Sequence, residues 1–595
     1  MNAKEVFESV LTVPVVKKLW TVSYNPAIPF SIQAFDIGSL LPAILYMFRW
    51  GHRRGKGKFI EAYGNKNDKK SIATINGISD ILCRKEKEFN GFNSDAKQAI
   101  LGDMLLASCL ENKNHQTGRD QKVQRAFPTH YLASWIDLPD DVANLRLVPE
   151  MLVAILLHQE QDECIQRSLR KNYFGVGCGF DGHNILLSLF GNGMTISGDK
   201  ISDITSDHFE ENNHTLGIDQ LLTIRLAQGC REAPYKNRTE SDGLIKNRWP
   251  IAIRAMNSLR DDFNIFVQIY GKIISRQTFL QMLESCLSLG LTNIYFSTIS
   301  MLRVWKKTGI LPTNDDQRSW PLFVDCSTGN DRDLRNLAEE SMSHLVRQLV
   351  SLPTILMSMG IIETKIRNDR QLRDSIPSLS PDSTEFINLL GSIYKNIHPR
   401  SEKLFDDFDE KCFQIADALA VNDGIEPELQ ELLRGSDNPI DRLAESLCKL
   451  MGEKNLFSKH ISVLNSLLLI DMPNGMSQKR KVRKTVSGKT LSFDARSIVF
   501  TNTMLDFIVH RHLRKAARRK RPNTLTFIDL LHILKDQYGL YVDESPPGMQ
   551  ISAEQLLRNK RILERRLRDL GVLVGVNDAE SMKRLCPRFQ VADGE

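Results

Sequence analysis

Residues 552–571 read Ser-Ala-Glu-Gln-Leu-Leu-Arg-Asn-Lys-Arg-Ile-Leu-Glu-Arg-Arg-Leu-Arg-Asp-Leu-Gly and predict one amphipathic helix. Ser552 and Gln555 have the S-x-x-Q spacing of a capping box, in which each side chain satisfies the other residue's free backbone N–H. Leu556, Leu563, Leu567 and Leu570 make a single apolar stripe, and Gly571 ends the helix in the conformation that glycine adopts most cheaply. The other faces are basic, with Arg558, Lys560, Arg561, Arg565, Arg566 and Arg568. Arg561, Arg565 and Arg568 recur at helical spacing and share a face.

The charge imbalance extends upstream. Residues 479–521 hold fourteen basic side chains and two acidic ones, Asp494 and Asp506, a local net charge of +12 in a chain whose total is +6. The remaining residues therefore sum to −6, and a polyanion is the expected partner of the basic segment. Within it, Ser497 to Lys520 predicts a helix that is apolar at first (Val499, Phe500, Met504, Leu505, Phe507, Ile508, Val509) and basic at its end. Beyond Pro522, Thr526 with Asp529 caps a helix that Gly539 stops, followed by a short strand at Leu540–Val542 and a Pro546-Pro547-Gly548 turn. After the basic helix, Val572–Val576 and Arg588–Val591 read as strands flanking a small helical piece, Asp578–Leu585.

This succession of helix, helix, short strand, basic helix and two strands resembles a winged helix-turn-helix. The resemblance implies that the last helix enters a DNA groove while the wing touches backbone. On that reading Arg558, Arg561, Arg565 and Arg568 face phosphates or base edges, Arg584 or Arg588 sits on the wing, and Arg514, Lys515, Arg518, Arg519 and Lys520 add phosphate contacts. The competing readings are a winged helix that contacts protein and a basic helix that faces water.

The rest of the 595-residue chain is 42% hydrophobic and 25% charged, the profile of a folded protein of several domains. The expected class is mainly α and multidomain, with the C-terminal winged-helix-like α/β module. The expected divisions are an irregular α-rich segment at 1–145, a helical one with a glycine-rich loop at 146–315, a helical one at 316–475 and the basic module at 476–595. A helical hairpin is expected with its turn at Gly290-Leu-Thr, and a helix at Asp331–Val350 that ends before Pro353. Arg373–Asp382, with two prolines, reads as a linker, and Arg53–Lys58 as a solvated basic loop. No 20–50-residue period recurs. The N-terminus lacks the charged, apolar, small-residue succession of a signal peptide, and the apolar passages Ile37–Trp50 and Val148–Leu157 are too short to span a bilayer. The ten cysteines lie no closer than 14 positions apart, which excludes C-x-x-C zinc pairs and points to reduced thiols in a cytoplasm.

No reaction is legible. Gly177-Cys-Gly-Phe-Asp-Gly182 satisfies G-x-G-x-x-G but follows no apolar strand, so a glycine turn explains it better than a dinucleotide site. There is no P-loop. Glu363-Thr-Lys365 with Asp325 is the nearest approach to a metal-dependent nuclease set, but both members are expected on helices. His158, Glu160 and Glu163, like Asp506, His510 and His512, lack a metal spacing. Cys326 and Ser327 have no assignable histidine partner, and their turn reads as the cap of the helix near Asp331. No cofactor or metal is expected.

The ending from Leu563 to Asp578 is similar to accessory subunits of multi-gene bacterial anti-phage defence systems, of the Druantia kind. That resemblance implies a component that holds foreign DNA, double-stranded rather than single-stranded, for a helicase or nuclease encoded beside it, with other subunits of the system as partners and no membrane. A metal-dependent nuclease subunit and a helical scaffold without nucleic-acid binding are the alternatives.

Overall fold

The computed structural model describes residues 2–50, 59–64, 73–84, 94–111, 121–123, 125–135, 145, 147–157, 185–191, 217–228, 249–370, 384–421, 427–486, 489–514, 525–575 and 583–589. The expectations for residues 53–58, 158–163, 177–182 and 373–382, and for Lys515, Arg518, Arg519 and Lys520, lie outside them. The described chain is mainly helical. Eight helices carry the argument: α1 (Ile253–Tyr270), α2 (Arg276–Thr308), α3 (Arg332–Asn368), α4 (Thr384–Tyr394), α5 (Glu453–Leu467), α6 (Asn502–His512), α7 (Phe527–Tyr538) and α8 (Ala553–Asp569). The strands that matter are β1 (Leu322–Asp325), β2 (Ser477–Val486), β3 (Lys489–Val499), β4 (Leu525–Thr526), β5 (Leu540–Tyr541), β6 (Leu573–Val574) and β7 (Arg584–Leu585).

Helix α2 corrects the expected hairpin. It runs unbroken through Gly290-Leu-Thr, and nearly every residue from Phe279 to Leu302 is buried. Because the helix is packed on all sides, the glycine is a contact site and not a turn. A Cβ at Gly290 would overlap Leu259 of α1, whose Cγ and Cβ would lie at 2.8 and 2.9 Å. Gly290→Ala is therefore expected to cost about 1–3 kcal/mol by overpacking; a denaturation midpoint equal to that of the parent protein would refute this close approach. Helix α3 likewise continues past Val350 with Pro353 inside it. Burial of Leu345, Leu349, Leu352, Leu356 and Ile362 on both sides of the proline offsets the lost backbone hydrogen bond. Both helices are long and apolar enough to cross a membrane, yet their most apolar windows are 94% and 61% buried inside the protein.

Two sheets organise the C-terminal part. Four strands lie in the order β2-β3-β1-β5, with β1 parallel to both β3 and β5. β2 and β3 form a long antiparallel ribbon paired from Ser477↔Ile498 to Val486↔Lys489. This overturns the helix expected from Ser497: Ile498 and Val499 are strand residues paired with Val324 and Asp325, and α6 begins only after Thr501 accepts a bond from the Met504 N–H. The second sheet has the antiparallel order β4-β7-β6. Its register lines up Leu525, Leu585 and Leu573, all buried. The strand expected at Arg588–Val591 is thus found at Arg584–Leu585, where helix was expected, because Leu585 is the residue that reaches the core.

One apolar cluster extends from Ala3 to Leu585 and includes β1, α1, α2 and α6–α8. A buried polar latch adds to it. Asp262 of α1 faces Arg511 of α6 at 2.8 Å and accepts the Tyr538 hydroxyl of α7 at 2.6 Å. Burial pushes the Asp262 carboxyl up to about 6, against the pull of Arg511.

Candidate nucleic-acid interface

Helix α8 is built as its sequence requires. The Ser552 side chain accepts from the Gln555 N–H at 3.2 Å and Gln555 returns the bond to the Ser552 N–H, while Gly571 has φ 72°. Leu563 and Leu567 are buried, and Leu556 and Leu570 are partly buried. Between these leucines lies Asn559, fully buried, whose amide donates to the carbonyls of Val324 and Val542 at 2.9 Å each and accepts from the Cys326 N–H at 3.0 Å. One side chain thereby fixes the helix across the carboxyl ends of β1 and β5.

The basic residues of α8 divide into two sets. Arg558 reaches Asp331 and Asp333 at the start of α3 (3.2 Å each), Lys560 reaches Asp543 (3.5 Å), and Arg566 donates to the Cys326 carbonyl (3.1 Å) and to Asn502 (2.8 Å). These three hold the helix down. Arg561, Arg565 and Arg568 form the opposite, exposed face. The Arg565 side chain is 84% exposed and only 3.8 Å from Asp569, while Arg568 leans on Glu564 at 2.6 Å, itself bonded to Lys583 at 2.9 Å. The exposed Arg565–Asp569 pair is weak, worth less than about 1 kcal/mol, whereas Arg568 is held by the largely buried Glu564.

The other expected contact residues separate. Arg514 is buried. Arg588 lies in a bend, with its guanidinium 2.5 Å from Asp506 and its N–H on His510 Nε2 at 3.0 Å. It is therefore turned toward α6 and is not on a strand of the wing. Arg584 is on β7 and exposed. The part of the +12 segment before Ser497, for which no element was expected, supplies the ribbon, whose Lys479, Lys481 and Arg483 are exposed on one face.

Two elements went unread in the sequence. Asn559 was hidden as a polar residue at a core position of an otherwise clean amphipathic pattern. The ribbon had only a weak signal, the Ser487-Gly488 turn dipeptide, because the run before it is dominated by Lys and Arg and holds few β-formers.

Candidate chemistry elsewhere is committed to structure. Asp325 is in β1 and not on a helix, and it accepts from the Ser327 N–H (2.8 Å), the Ser327 hydroxyl (2.6 Å) and the Gly329 N–H (2.8 Å). Burial raises its carboxyl above the usual range against those bonds. Asp331 caps α3 through the N–H groups of Asp333 and Leu334, as the turn predicted. The buried Cys326 thiol is pushed well up by desolvation, so it is no nucleophile at neutral pH. Glu363 is on α3 and ion-paired with Arg367 at 2.6 Å. Among the described residues no His, Cys, Asp and Glu side chains cluster as a metal site.

A family model described as methylation-associated defense system protein MAD7 matches residues 22–589. The chain belongs to that family. No curated protein and no solved structure matches it. As a member of the MAD7 family the chain is a component of a defence system, which agrees with the context implied by its C-terminal ending. Family membership gives the setting, and α8 presents an exposed arginine face in it.

Proposed function

We propose that this chain is the non-catalytic, DNA-binding component of its defence system. In this reading it acts in the cytoplasm beside a separately encoded helicase or nuclease and other subunits of the system. The observation that carries the reading is the asymmetry of α8. Asn559 and Arg566 tie it to the ends of the sheet strands, Arg558 ties it to the start of α3, and the face away from Leu563 and Leu567 presents Arg561, Arg565 and Arg568 outward. The order α6, β4, α7, β5, α8, β6 and β7, with a sheet ordered β4-β7-β6, supports a winged helix in which α8 would be the recognition helix, although β5 pairs with β1 in the other sheet. Duplex DNA is the favoured ligand, because a rigid helix with arginines on one face suits a major groove and its flanking phosphates.

The test is fluorescence anisotropy with the full chain and a 30-base-pair duplex across a salt series. Arg561→Glu/Arg565→Glu/Arg568→Glu is expected to weaken binding by roughly a hundredfold or more and to lower the slope of log K against log salt by about three. Because Arg568→Glu also faces the buried Glu564, melting curves are recorded for the variant, and Arg561→Gln/Arg565→Gln, which leaves that pair intact and should melt within a degree or two of the parent, is measured beside it. Parent-like binding by the triple variant would remove α8 from the interface. No binding by the parent protein, with neighbouring gene products co-purifying stably, would replace DNA binding with a scaffold role.

A further inference from the structure

Among the described residues the β2–β3 ribbon is held at its base. Ser477 donates to the Ser497 carbonyl (2.9 Å), the Lys479 N–H donates to Asp471 (3.0 Å), Arg496 donates to Asn465 of α5 (2.9 Å), and Arg480 makes a two-pronged pair with Glu339 of α3 at 2.5 and 2.7 Å. β1 pairs with the ribbon at Ile498 and Val499. From Lys481↔Asp494 to Val486↔Lys489 the two strands bond to each other and, among the described residues, to no third strand. Ten residues of strand span about 33 Å, and this outer part accounts for more than half of it.

The charges on the ribbon are unevenly compensated. Alternation places Lys479, Lys481 and Arg483 on one face, with Arg496, Asp494 and Ser492 directly opposite them on the partner strand. Asp494 lies 3.8 Å from Lys479 and 3.9 Å from Arg496, so its charge is shared between the two cations nearest the base. Lys481 and Arg483, farther out and exposed, make no ion pair among the described residues. Arg480, on the reverse face, spends its charge on the body.

We propose that the Lys481/Arg483 face of this ribbon enters the major groove of duplex DNA, as a second contact beside α8. The inference rests on the DNA-binding reading of the chain and adds an element to it. A two-stranded ribbon fits a B-form major groove of about 12 Å, whereas the deep, narrow major groove of A-form RNA excludes it. Ribbon and helix are secured to the same short stretch of the protein: Arg480 to Glu339 and Arg558 to Asp331 and Asp333, within the first two turns of α3 or about 12 Å of helix axis. Gly329, in the turn between β1 and α3, lies against Gln478 of β2, and the Cys326 carbonyl of that turn accepts from Arg566 of α8. A duplex that reaches one basic surface thus has the other alongside. The alternative role for these cations is to keep an exposed strand edge from pairing with other chains.

Lys481→Gln/Arg483→Gln tests this in the full chain without creating like-charge repulsion against Asp494. Anisotropy is measured with 30-base-pair duplex DNA, duplex RNA of the same length and single-stranded DNA. The parent protein is expected to prefer duplex DNA over duplex RNA by tenfold or more. The variant should lose most of that preference, with its salt slope on duplex DNA falling by about two while its weaker RNA binding barely changes. Unchanged DNA binding would overturn the proposal in favour of edge protection, with DNA binding through α8 still standing. Equal losses on all three ligands would overturn it in favour of a general polyanion contact. Absence of DNA binding in the parent would remove both this proposal and the reading it rests on.

Discussion

Lowering the pH from 7 to 5 is expected to take roughly 4–5 kcal/mol from the stability of the protein, with three desolvated histidines, His460, His510 and His512, as the cause. His460 has one ring nitrogen 2.9 Å from the Tyr295 hydroxyl and the other buried without a hydrogen-bond partner, and desolvation holds it down to about 3. His510 donates from Nδ1 to the Asp506 carbonyl at 2.7 Å and accepts the Arg588 N–H at Nε2. A proton on Nε2 would meet that N–H and the Arg588 guanidinium, so desolvation first and Arg588 second hold His510 down to about 4.

The sign follows from linkage. His512, whose ring bonds the Tyr538 hydroxyl at 3.0 Å, is likewise held down to about 3 by desolvation first and Arg511 second. All three groups have folded values below the ordinary 6.5, so the unfolded chain takes up protons first as the pH drops. Their stabilisation is complete above 6.5 and is lost from 6.5 down to about 4 for His510 and about 3 for His460 and His512, at roughly 1.4 kcal/mol per pH unit for each histidine. At pH 5 the three together remove roughly 6 kcal/mol. Asp262 works the other way. Its folded value of about 6 exceeds the ordinary 3.8, so its protonation on the way to pH 5 returns about 1 kcal/mol. Thermal melts between pH 7 and 5 check the net effect, and Asp262→Asn, whatever its midpoint at pH 7, should show the steeper decline. His460→Leu should lose about 2 kcal/mol less than the parent protein over the same range. A melting temperature that stays level from pH 7 to 5 in the parent protein would mean that these rings are not buried and neutral.

What could be read from the sequence depended on whether local chemistry or distant packing decides each element. The caps of α7 and α8 are set by residues three apart, Thr526 with Asp529 and Ser552 with Gln555, and both form as read. The charge split between residues 479–521 and the rest is pure counting, and it led to the basic surface. Gly290 and Pro353 misled, because a turn signal yields when a helix is buried on every side, and the partners that bury α2 and α3 come from far along the chain. Ser497–Val499 looked helical beside the apolar run that follows, but the strand it joins, Leu322–Asp325, lies more than 170 residues earlier. The basic face of α8 was visible at heptad scale, yet which of its six cations remain free was not. That division depends on Asp331, Asp333, Asp543 and the Cys326 carbonyl, none of them local in sequence.

Replacing Asn559 with alanine is expected to cost roughly 3–6 kcal/mol, more than the overpacking at Gly290. Its three hydrogen bonds are all to backbone groups at the ends of β1 and β5: the Val324 and Val542 carbonyls and the Cys326 N–H. The site is fully buried, so no water replaces the amide, and each abandoned group loses about 1–3 kcal/mol of compensation. Aspartate is no remedy, since it accepts only and would face two carbonyls with a buried charge. The consequence for function is specific. Arg558, Lys560 and Arg566 also tether α8, but through exposed or half-buried pairs that are individually weak. Without Asn559 the helix should therefore loosen before the body does. Hydrogen exchange checks this directly: in Asn559→Ala the amides of Leu563–Asp569 should exchange orders of magnitude faster, while those in the middle of α2 keep most of their protection, and duplex DNA affinity should fall although Arg561, Arg565 and Arg568 are intact. A variant with parent-like exchange in α8 and a midpoint within about 0.5 kcal/mol of the parent would show that the helix is held by its leucines alone, and would leave the buried amide without the positioning role assigned to it.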